Sequence, residues 1–294
     1  MQRLRAARTT PLPAHVQTPP ASPHPADHRP RAGAPAAPAT SAAAAAAAAA
    51  GGPGKAAFVR AMFARIVPRY DLVNRLMTLG MDQRWRRAAV TMVAPQGALA
   101  LDVATGTGDL ALELLRQGAR HVVGADFCAD MLGAAVTKAR PAAGTRAAFV
   151  AGDATRLPFH DDTFDCVVNG FMLRNVTDLA ATFRELNRVL KPRGRLACLD
   201  LTPPRGPLRA LLRFYIARLV PLLGGIVSGH YFAYRYLGQS LRPHPDADSL
   251  AAIMRDAGLG DVGYRRIGFG TVAIHYAAKP AAAQPALNDG RGAA

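Results

Sequence analysis

Residues 101–111 read LDVATGTGDLA, in which Gly106 and Gly108 follow an apolar run and precede a helix-like pattern. Glycines so placed let backbone approach a ligand closely, and the helix N-terminus behind them favours negative charge. GTGDLA fits the pattern of a dinucleotide loop, which is a weak signal by itself. The acids around it point elsewhere. Asp102 stands inside the apolar run, and Asp109 stands at the mouth of the helix, where a pyrophosphate would have to sit. An anion there would meet a carboxylate, and that repulsion is costly. Asp126 in HVVGAD and Asp153 in FVAGDA close the next two apolar runs.

A nucleoside with positive charge and no phosphate suits this set better. S-adenosylmethionine has a sulfonium, an ammonium, a ribose diol and an adenine. Asp126 lies about 20 residues past the glycines, where an acid accepts from both ribose hydroxyls. Asp153 and Ala154 are placed to meet the adenine amino group. Asp102 lies toward the methionine end, and Gly106, Thr107 and Gly108 offer close contact at the loop. Any one of these acids alone reads better as a strand-end cap or a solvated loop residue. Acids at the ends of successive strands, beside this loop, make the stronger case.

The elements that must position them follow from periodicity. KAAFVRAMFARIVPRY spaces its apolar residues as a helix, and DLVNRLMTLGMDQRWRRAAVTMV continues with two more, Asp82 being placed to cap the last. Strand and helix signals then alternate. ALALDVA, HVVGAD, AAFVAGD, FDCVVNGF and RLACLDL are strands; DLALELLRQG, CADMLGAAVTKAR and DLAATFRELNRVLKPRG are helices. Such alternation means a parallel sheet covered by helices. GYRRIGFG and TVAIHYAAK, a few residues apart, read as an antiparallel pair at one sheet edge. Residues 203–245 form an insert before the last helix. Residues 1–54 are rich in Pro and Ala, with nine consecutive alanines at 42–50, and read as a disordered tail whose alanine run is at most transiently helical. The folded body is expected over 55–279, with a second loose tail at 280–294.

The chain has 294 residues and a net charge of +16, a balance that suits nucleic acid or an anionic membrane surface, or else reflects a coding bias toward Arg and Ala. Cys128, Cys166 and Cys198 are too far apart for a redox or zinc motif and fit reduced, buried thiols. No histidine spacing suggests a metal, and none is expected. No charge-free run of 18 apolar residues is present, so no membrane-spanning helix is expected. The acid-poor, Arg-scattered N-terminal tail has the composition of an organellar transit peptide, but few serines and no amphipathic helix favour a bacterial extension or a mis-assigned start codon.

Longer stretches carry a resemblance. RYDLVNRLMTLGMDQRWRR (69–87), the glycine loop, LPFHDDTFDCVVNGFMLRNVTD (157–178), RVLKPRGRL (188–196) and YRYLGQSLRPHPD (234–246) occur in order. Together they resemble the C-methyltransferases of ubiquinone and menaquinone biosynthesis, within the class I S-adenosylmethionine-dependent methyltransferases, over about 58–278. The resemblance implies an α/β, doubly wound, Rossmann-like fold with a seven-stranded, mostly parallel sheet and a reversed last strand. That agrees with the edge pair. It departs from the family pattern at Thr105, where glycine is common, at KPRG, and at Gly170, where a small hydroxyl residue often contacts cofactor. Asn169 is the substitute for that contact.

The implied reaction moves a methyl group from sulfur to a ring carbon of a reduced prenylated quinone. Demethylmenaquinol is the expected substrate, with the benzoquinol precursor of ubiquinone as the alternative. A quinol that loses a hydroxyl proton pushes charge onto the adjacent carbon, so the protein must place that carbon and stabilise the phenolate. Arg174 and Asn175, directly after the fourth strand, are the candidates for that chemistry, an ion pair being the alternative role for Arg174. Tyr70, Asn74, Tyr236 and Arg242 fall in the matching stretches and are candidates to shape the substrate pocket; ordinary core packing is the competing reading for the tyrosines. His230 and His244 read better as surface or satisfied core residues than as bases. In PLRALLRFYIARLVPLLGG, Arg209, Arg213 and Arg218 interrupt an apolar stretch that can rest on a membrane, wall a lipid tunnel or pack as a lid. The expected location is cytoplasmic, peripheral to the inner face of the cell membrane, aided by anionic lipid. A homo-oligomer is left open. The competing readings are a nicotinamide-dependent oxidoreductase, a nucleic-acid methyltransferase and a catalytically silent scaffold. The second lacks aromatic platforms, aromatics being 6% of residues, and has NGFM where base-modifying enzymes carry an NPPY-like motif. No nucleic-acid partner is expected.

Overall fold

The computed structural model describes residues 42–49, 51, 54–241 and 243–281. Four helices lead in: α1 (Ala42–Ala49), α2 (Lys55–Ile66), α3 (Tyr70–Thr78) and α4 (Met81–Met92). The alternating part follows as β1 (Leu99–Val103), α5 (Asp109–Arg116), β2 (His121–Asp126), α6 (Ala129–Ala143), β3 (Ala147–Ala151), β4 (Phe164–Gly170), α7 (Leu179–Val189) and β5 (Leu190–Leu201). The insert holds α8 (Arg209–Phe214), α9 (Val220–Ser228) and α10 (Tyr231–Ser240), and the chain closes with α11 (Ala247–Asp256), β6 (Gly260–Ile267) and β7 (Val272–Ala278).

The seven strands form one sheet in the order β3-β2-β1-β4-β5-β7-β6. β1 pairs in parallel with β2 and β4, so the order reverses beside it, and that is where α/β sheets bind ligands. β7 runs antiparallel to both β5 and β6, which gives the expected reversed strand and edge pair. The period of two shows in the core. Leu99, Leu101 and Val103 of β1 and Val167 of β4 pack with Phe183, Leu186 and Met254 on one face. Ala100 of β1 and Cys166 and Val168 of β4 pack with Val90, Leu110 and Leu114 on the other. The three cysteines are free and buried, and burial pushes the Cys166 and Cys198 thiols up to about 12.

Two local expectations change. The alanine run is not a loose tail: α1 is a helix whose Ala45, Ala48 and Ala49 are buried in a cluster with Phe58, Val59, Met62 and Tyr236. Alanine has the best helix propensity, and its methyl lets another helix approach closely, so the folded body reaches back to Ala42. The rest of the expected tails, 1–41 and 282–294, lies outside the described residues. The helix expected to end before Pro192 stops at Val189, and Leu190–Gly194 opens β5 through a register shift, with Arg193 at φ 65°. Asp82 does not cap α4, whose N-cap is Gly80; its carboxylate instead accepts from Thr78 Oγ1 at 3.0 Å and pairs with Arg86. Asp178 does cap α7, accepting from the Ala181 N–H at 2.9 Å.

Candidate functional site

Two adjacent spaces lie at the carboxyl ends of β1, β2 and β4. The cleft is lined by Gly106, Asp126, Phe127, Met131, Asp153, Ala154 and Gly170 among others. A larger cavity of about 180 Å³ lies between α2, α3, α4, α10 and the helix of the insert. Phe63, Tyr70, Phe171 and Asn175 line both. A ligand in the cleft and one in the cavity therefore meet at these four side chains.

The glycine loop hangs from buried carboxylates. Asp126 accepts from the Gly106 N–H at 2.8 Å through Oδ2 and from the Cys128 N–H at 2.9 Å through Oδ1. The Phe127 backbone also acts on this carboxylate, which has about four lone-pair directions and so keeps acceptor capacity for a ribose hydroxyl in the cleft. Burial raises the Asp126 carboxyl above its ordinary range against those backbone bonds. Asp153 also lines the cleft and accepts from the N–H and hydroxyl of Thr155, at 2.8 and 2.7 Å. Gly108, at φ 86°, caps α5, and a Cβ there would lie 3.3 Å from Ala135 Cβ.

Asp102, Thr107, Gly108 and Asn169, expected against cofactor, do not line the cleft. Asp102 is fully buried behind the loop, accepting from Thr105 Oγ1 at 2.6 Å and the Ala111 N–H at 3.0 Å. Thr107 gives its hydroxyl to Asp71 on α3 at 2.7 Å. Asn169 is fully buried, its amide donating to Cys198 Sγ at 3.0 Å, because alternation along β4 turns it away from its neighbour Gly170. Gly170 does line the cleft, but a Cβ there would lie 2.8 Å from Leu110 Cδ1, which explains a glycine where a hydroxyl residue is common. Asp109 also differs from expectation. It is neutralised by Lys138 and Arg86, which outweigh its burial and hold the carboxyl below its usual range. The helix mouth is thus closed by an internal ion network rather than left repulsive.

Burial pushes the Asp102 carboxyl up to about 7, against the Thr105 hydrogen bond and the Arg86 charge, and its Oδ1 has no partner. A carboxyl that holds its proton more tightly when folded contributes stability that is full below its unfolded value of 3.8 and lost as pH rises through about 7. Asp102→Asn keeps the shape without the charge. It is expected to melt above the unmodified protein at pH 8, with the gap closing toward pH 5; a pH-independent gap in thermal melts would contradict this.

Arg174 and Asn175 stand where the chain winds tightly after β4. Phe171 takes φ 60°, and the Asn175 N–H returns to the Met172 carbonyl at 2.7 Å. Arg174 Nη1 donates to the Phe171 carbonyl at 3.0 Å and to Asp200 Oδ1 at 2.9 Å. Asp200 is buried at the end of β5 and also accepts from the Leu173 and Leu201 N–H groups, both at 2.7 Å. Lys55 Nζ ties down the Arg174 and Val176 carbonyls at 3.0 and 2.8 Å. Asn175 donates to the Phe171 carbonyl at 3.2 Å, while its Oδ1 is buried without a partner.

Tyr70, Asn74 and Tyr236 all line the cavity; Arg242 lies outside the described residues. Burial raises the Tyr70 hydroxyl and pushes that of Tyr236 up to about 12, both against nearby arginine charge. His230 Nδ1 contacts the Ser228 carbonyl at 2.8 Å, and burial lowers His244, which keeps it neutral. Sequence reasoning missed Asp200, Asp71, Lys138 and Lys55. Asp200 was within reach, since CLDL places an acid at a strand end as Asp126 and Asp153 are placed. The other three act through partners far along the chain.

The cleft fits S-adenosylmethionine on its own terms. Among the described residues that line it are two carboxylates, apolar walls at Phe127, Met131 and Ala154, and neither Lys nor Arg. That lining suits a cationic nucleoside and offers a diphosphate no counter-charge.

Comparison with known proteins agrees. The ubiE/COQ5 methyltransferase family model matches residues 53–279. The chain is 48% identical over 227 residues to the demethylmenaquinone methyltransferase of Roseiflexus castenholzii, covering 75% of this chain and 93% of that one. It is 42% identical to the ubiquinone/menaquinone biosynthesis C-methyltransferase UbiE of Desulfotalea psychrophila, covering 78% and 91%. Among solved structures, an S-adenosylmethionine-dependent methyltransferase from Aquifex aeolicus superposes with a TM-score of 0.51 at 18% identity, over 71% of this chain and 97% of that one, which supports the fold. The oxidoreductase reading of the glycine loop falls, and the chain belongs to the ubiE/COQ5 family of S-adenosylmethionine-dependent methyltransferases.

Proposed function

We propose that the protein methylates a ring carbon of a reduced prenylated naphthoquinone, converting demethylmenaquinol to menaquinol. The observation that carries this reading is the shared wall of the two spaces: a largely apolar cavity adjoins a carboxylate-lined cleft beside Arg174 and Asn175. The names of the relatives add support, and the Desulfotalea relative's name keeps a benzoquinol in the test.

When bound, S-adenosylmethionine supplies an electrophilic methyl: the ring carbon bonds to it as the carbon–sulfur bond breaks toward sulfur, and one proton is released overall. The chain's own work is placement and charge. Asp126 and Asp153 hold the nucleoside, and Phe63, Tyr70 and Phe171 wall the ring at the junction. Asn175 Oδ1, an acceptor without a partner, takes the hydrogen bond of the quinol hydroxyl. Arg174, with Nη1 anchored on Asp200, faces the negative charge that develops on that oxygen.

The insert supports delivery from a bilayer. Arg209–Ser228 runs as one helix of 20 residues with mean hydropathy 1.7, long and apolar enough by composition to span a membrane, although the sequence has no charge-free run of that length. One face, with Leu212, Tyr215, Ile216 and Val220, lines the cavity. The other exposes Leu211, Phe214, Leu222 and Ile226, and α3, which contacts α9, exposes Leu72 and Leu76, with Leu79 exposed just beyond its end. This helix lies on the cytoplasmic leaflet in our reading, its wall giving the prenyl chain a path inward, with Arg209, Arg213 and Arg218 near anionic headgroups. Labelled S-adenosylmethionine and reduced demethylmenaquinone in vesicles should put label into the lipid fraction, faster with anionic than with zwitterionic lipid. Label in the benzoquinol alone would reassign the substrate; label in neither would overturn the proposal.

A further inference from the structure

A para-dihydroxy ring has two oxygens on opposite sides, and Arg174 with Asn175 serves one of them. The same cavity holds a second guanidinium. Arg86, on α4, lines it with a side chain only 9% exposed. Its Nε lies 3.6 Å from both Asp82 Oδ2 and Asp109 Oδ2, beyond hydrogen-bond range, and has no partner. The two acids thus hold the cation from behind without taking up the donor that faces them. The far end of the guanidinium reaches forward. Nη1 lies 3.5 Å from where a Cβ on Gly170 would stand, and Cζ is 5.4 Å from the Phe171 ring centroid. Gly170 lines the cleft and Phe171 lines both spaces, so Arg86 ends at the junction. Both Arg86 and Arg174 act on the Tyr70 hydroxyl, which places two cations around one buried ring wall.

Arginine carries five donors on a rigid fork and stays charged when buried. An acceptor oxygen brought into this cavity takes a charge-assisted hydrogen bond from the terminal nitrogens rather than from Nε, which faces the two acids. We propose that Arg86 is a substrate-binding residue whose terminal N–H groups hold the ring oxygen para to the one served by Arg174 and Asn175. This rests on the quinol reading above and deepens it. One anchored oxygen leaves the ring free to pivot, whereas two fix which carbon faces the cleft.

The test compares two acceptors, 3-prenyl-1,4-naphthalenediol and 3-prenyl-1-naphthol. The second keeps the hydroxyl beside the reacting carbon and lacks the para oxygen. The ratio of their kcat/KM values contains an electronic part common to every variant and a part due to the para-oxygen contact. Arg86→Gln is expected to shrink that ratio about tenfold, while Arg174→Gln lowers both values and leaves the ratio unchanged. Arg86→Lys, which keeps the charge but not the fork, should move the ratio in the same direction and decides the matter if Arg86→Gln does not fold. Wild-type affinity for S-adenosylhomocysteine identifies folded variants. A purely structural Arg86 would depress both acceptors equally, so an unchanged ratio in a folded Arg86 variant overturns the proposal. Wild-type protein that methylates neither acceptor overturns the quinol reading instead.

Discussion

Arg174→Ala is expected to lower kcat for the quinol by about 10²–10³-fold, the usual cost of removing one preorganised donor from a developing oxyanion. Affinity for S-adenosylhomocysteine should stay near that of the unmodified protein, because Arg174 does not line the cleft. The same change strands Asp200, a buried carboxylate whose cationic partner stands at 2.9 Å. Breaking a buried pair from one side typically costs about 3–5 kcal/mol, so the melting temperature should fall as well. Arg174→Met combined with Asp200→Asn separates the two effects. The two N–H groups of Leu173 and Leu201 use different oxygens of Asp200, so the asparagine keeps an acceptor for one of them and leaves no unpaired charge. Stability is expected to recover in part in the double variant, one N–H acceptor still being lost, while turnover does not recover. Recovery of both would show that Arg174 works only as a structural counter-ion.

Asp126→Ala should raise the dissociation constant for S-adenosylhomocysteine about 100-fold, equivalent to about 2.7 kcal/mol. A lost hydrogen bond to a charged acceptor supplies much of that. Part of the loss is indirect, since the Gly106 and Cys128 N–H groups lose their acceptor and the loop loosens. Asp126→Asn keeps one acceptor oxygen and should fall in between. Because burial raises the Asp126 carboxyl, affinity in the unmodified protein should weaken as the pH falls through that raised value, where the group takes up a proton. Asp126→Asn should lack that dependence. Calorimetry over a pH series that starts at the ordinary carboxylate value of 3.8 and rises to neutrality checks both points, and unchanged affinity in Asp126→Ala would remove the ribose assignment.

What was legible in the sequence was what a short window contains. The apolar runs of β1, β2 and β4 are buried along nearly their whole length, as strands of a sheet covered on both faces must be, and the acids at the end of β2 and just after β3, Asp126 and Asp153, mark its carboxyl edge. Asp126 and Asp153 reach the cleft because strand ends are fixed by the same pattern. The direction of a side chain at such an edge is harder to read. Asp102 and Asn169 lie within strands that were recognised, yet both side chains turn into the interior, where Thr105 and Cys198 hold them. Long-range pairing was illegible altogether. Asp71 meets Thr107 and Lys138 only because α3 folds over the loop, and no local spacing marks that contact. The alanine run was misjudged because low complexity was taken for absence of packing.

That run has a consequence of its own. A helix built from one repeated residue holds no address: rotate it by one position, and an identical set of methyl groups faces α10 and α2. Its seat is therefore indifferent to which alanines occupy it, so an added or deleted alanine slides the spacer without disturbing the fit. Repetitive coding stretches gain and lose units easily, and here such drift would leave Tyr236 under the same cover.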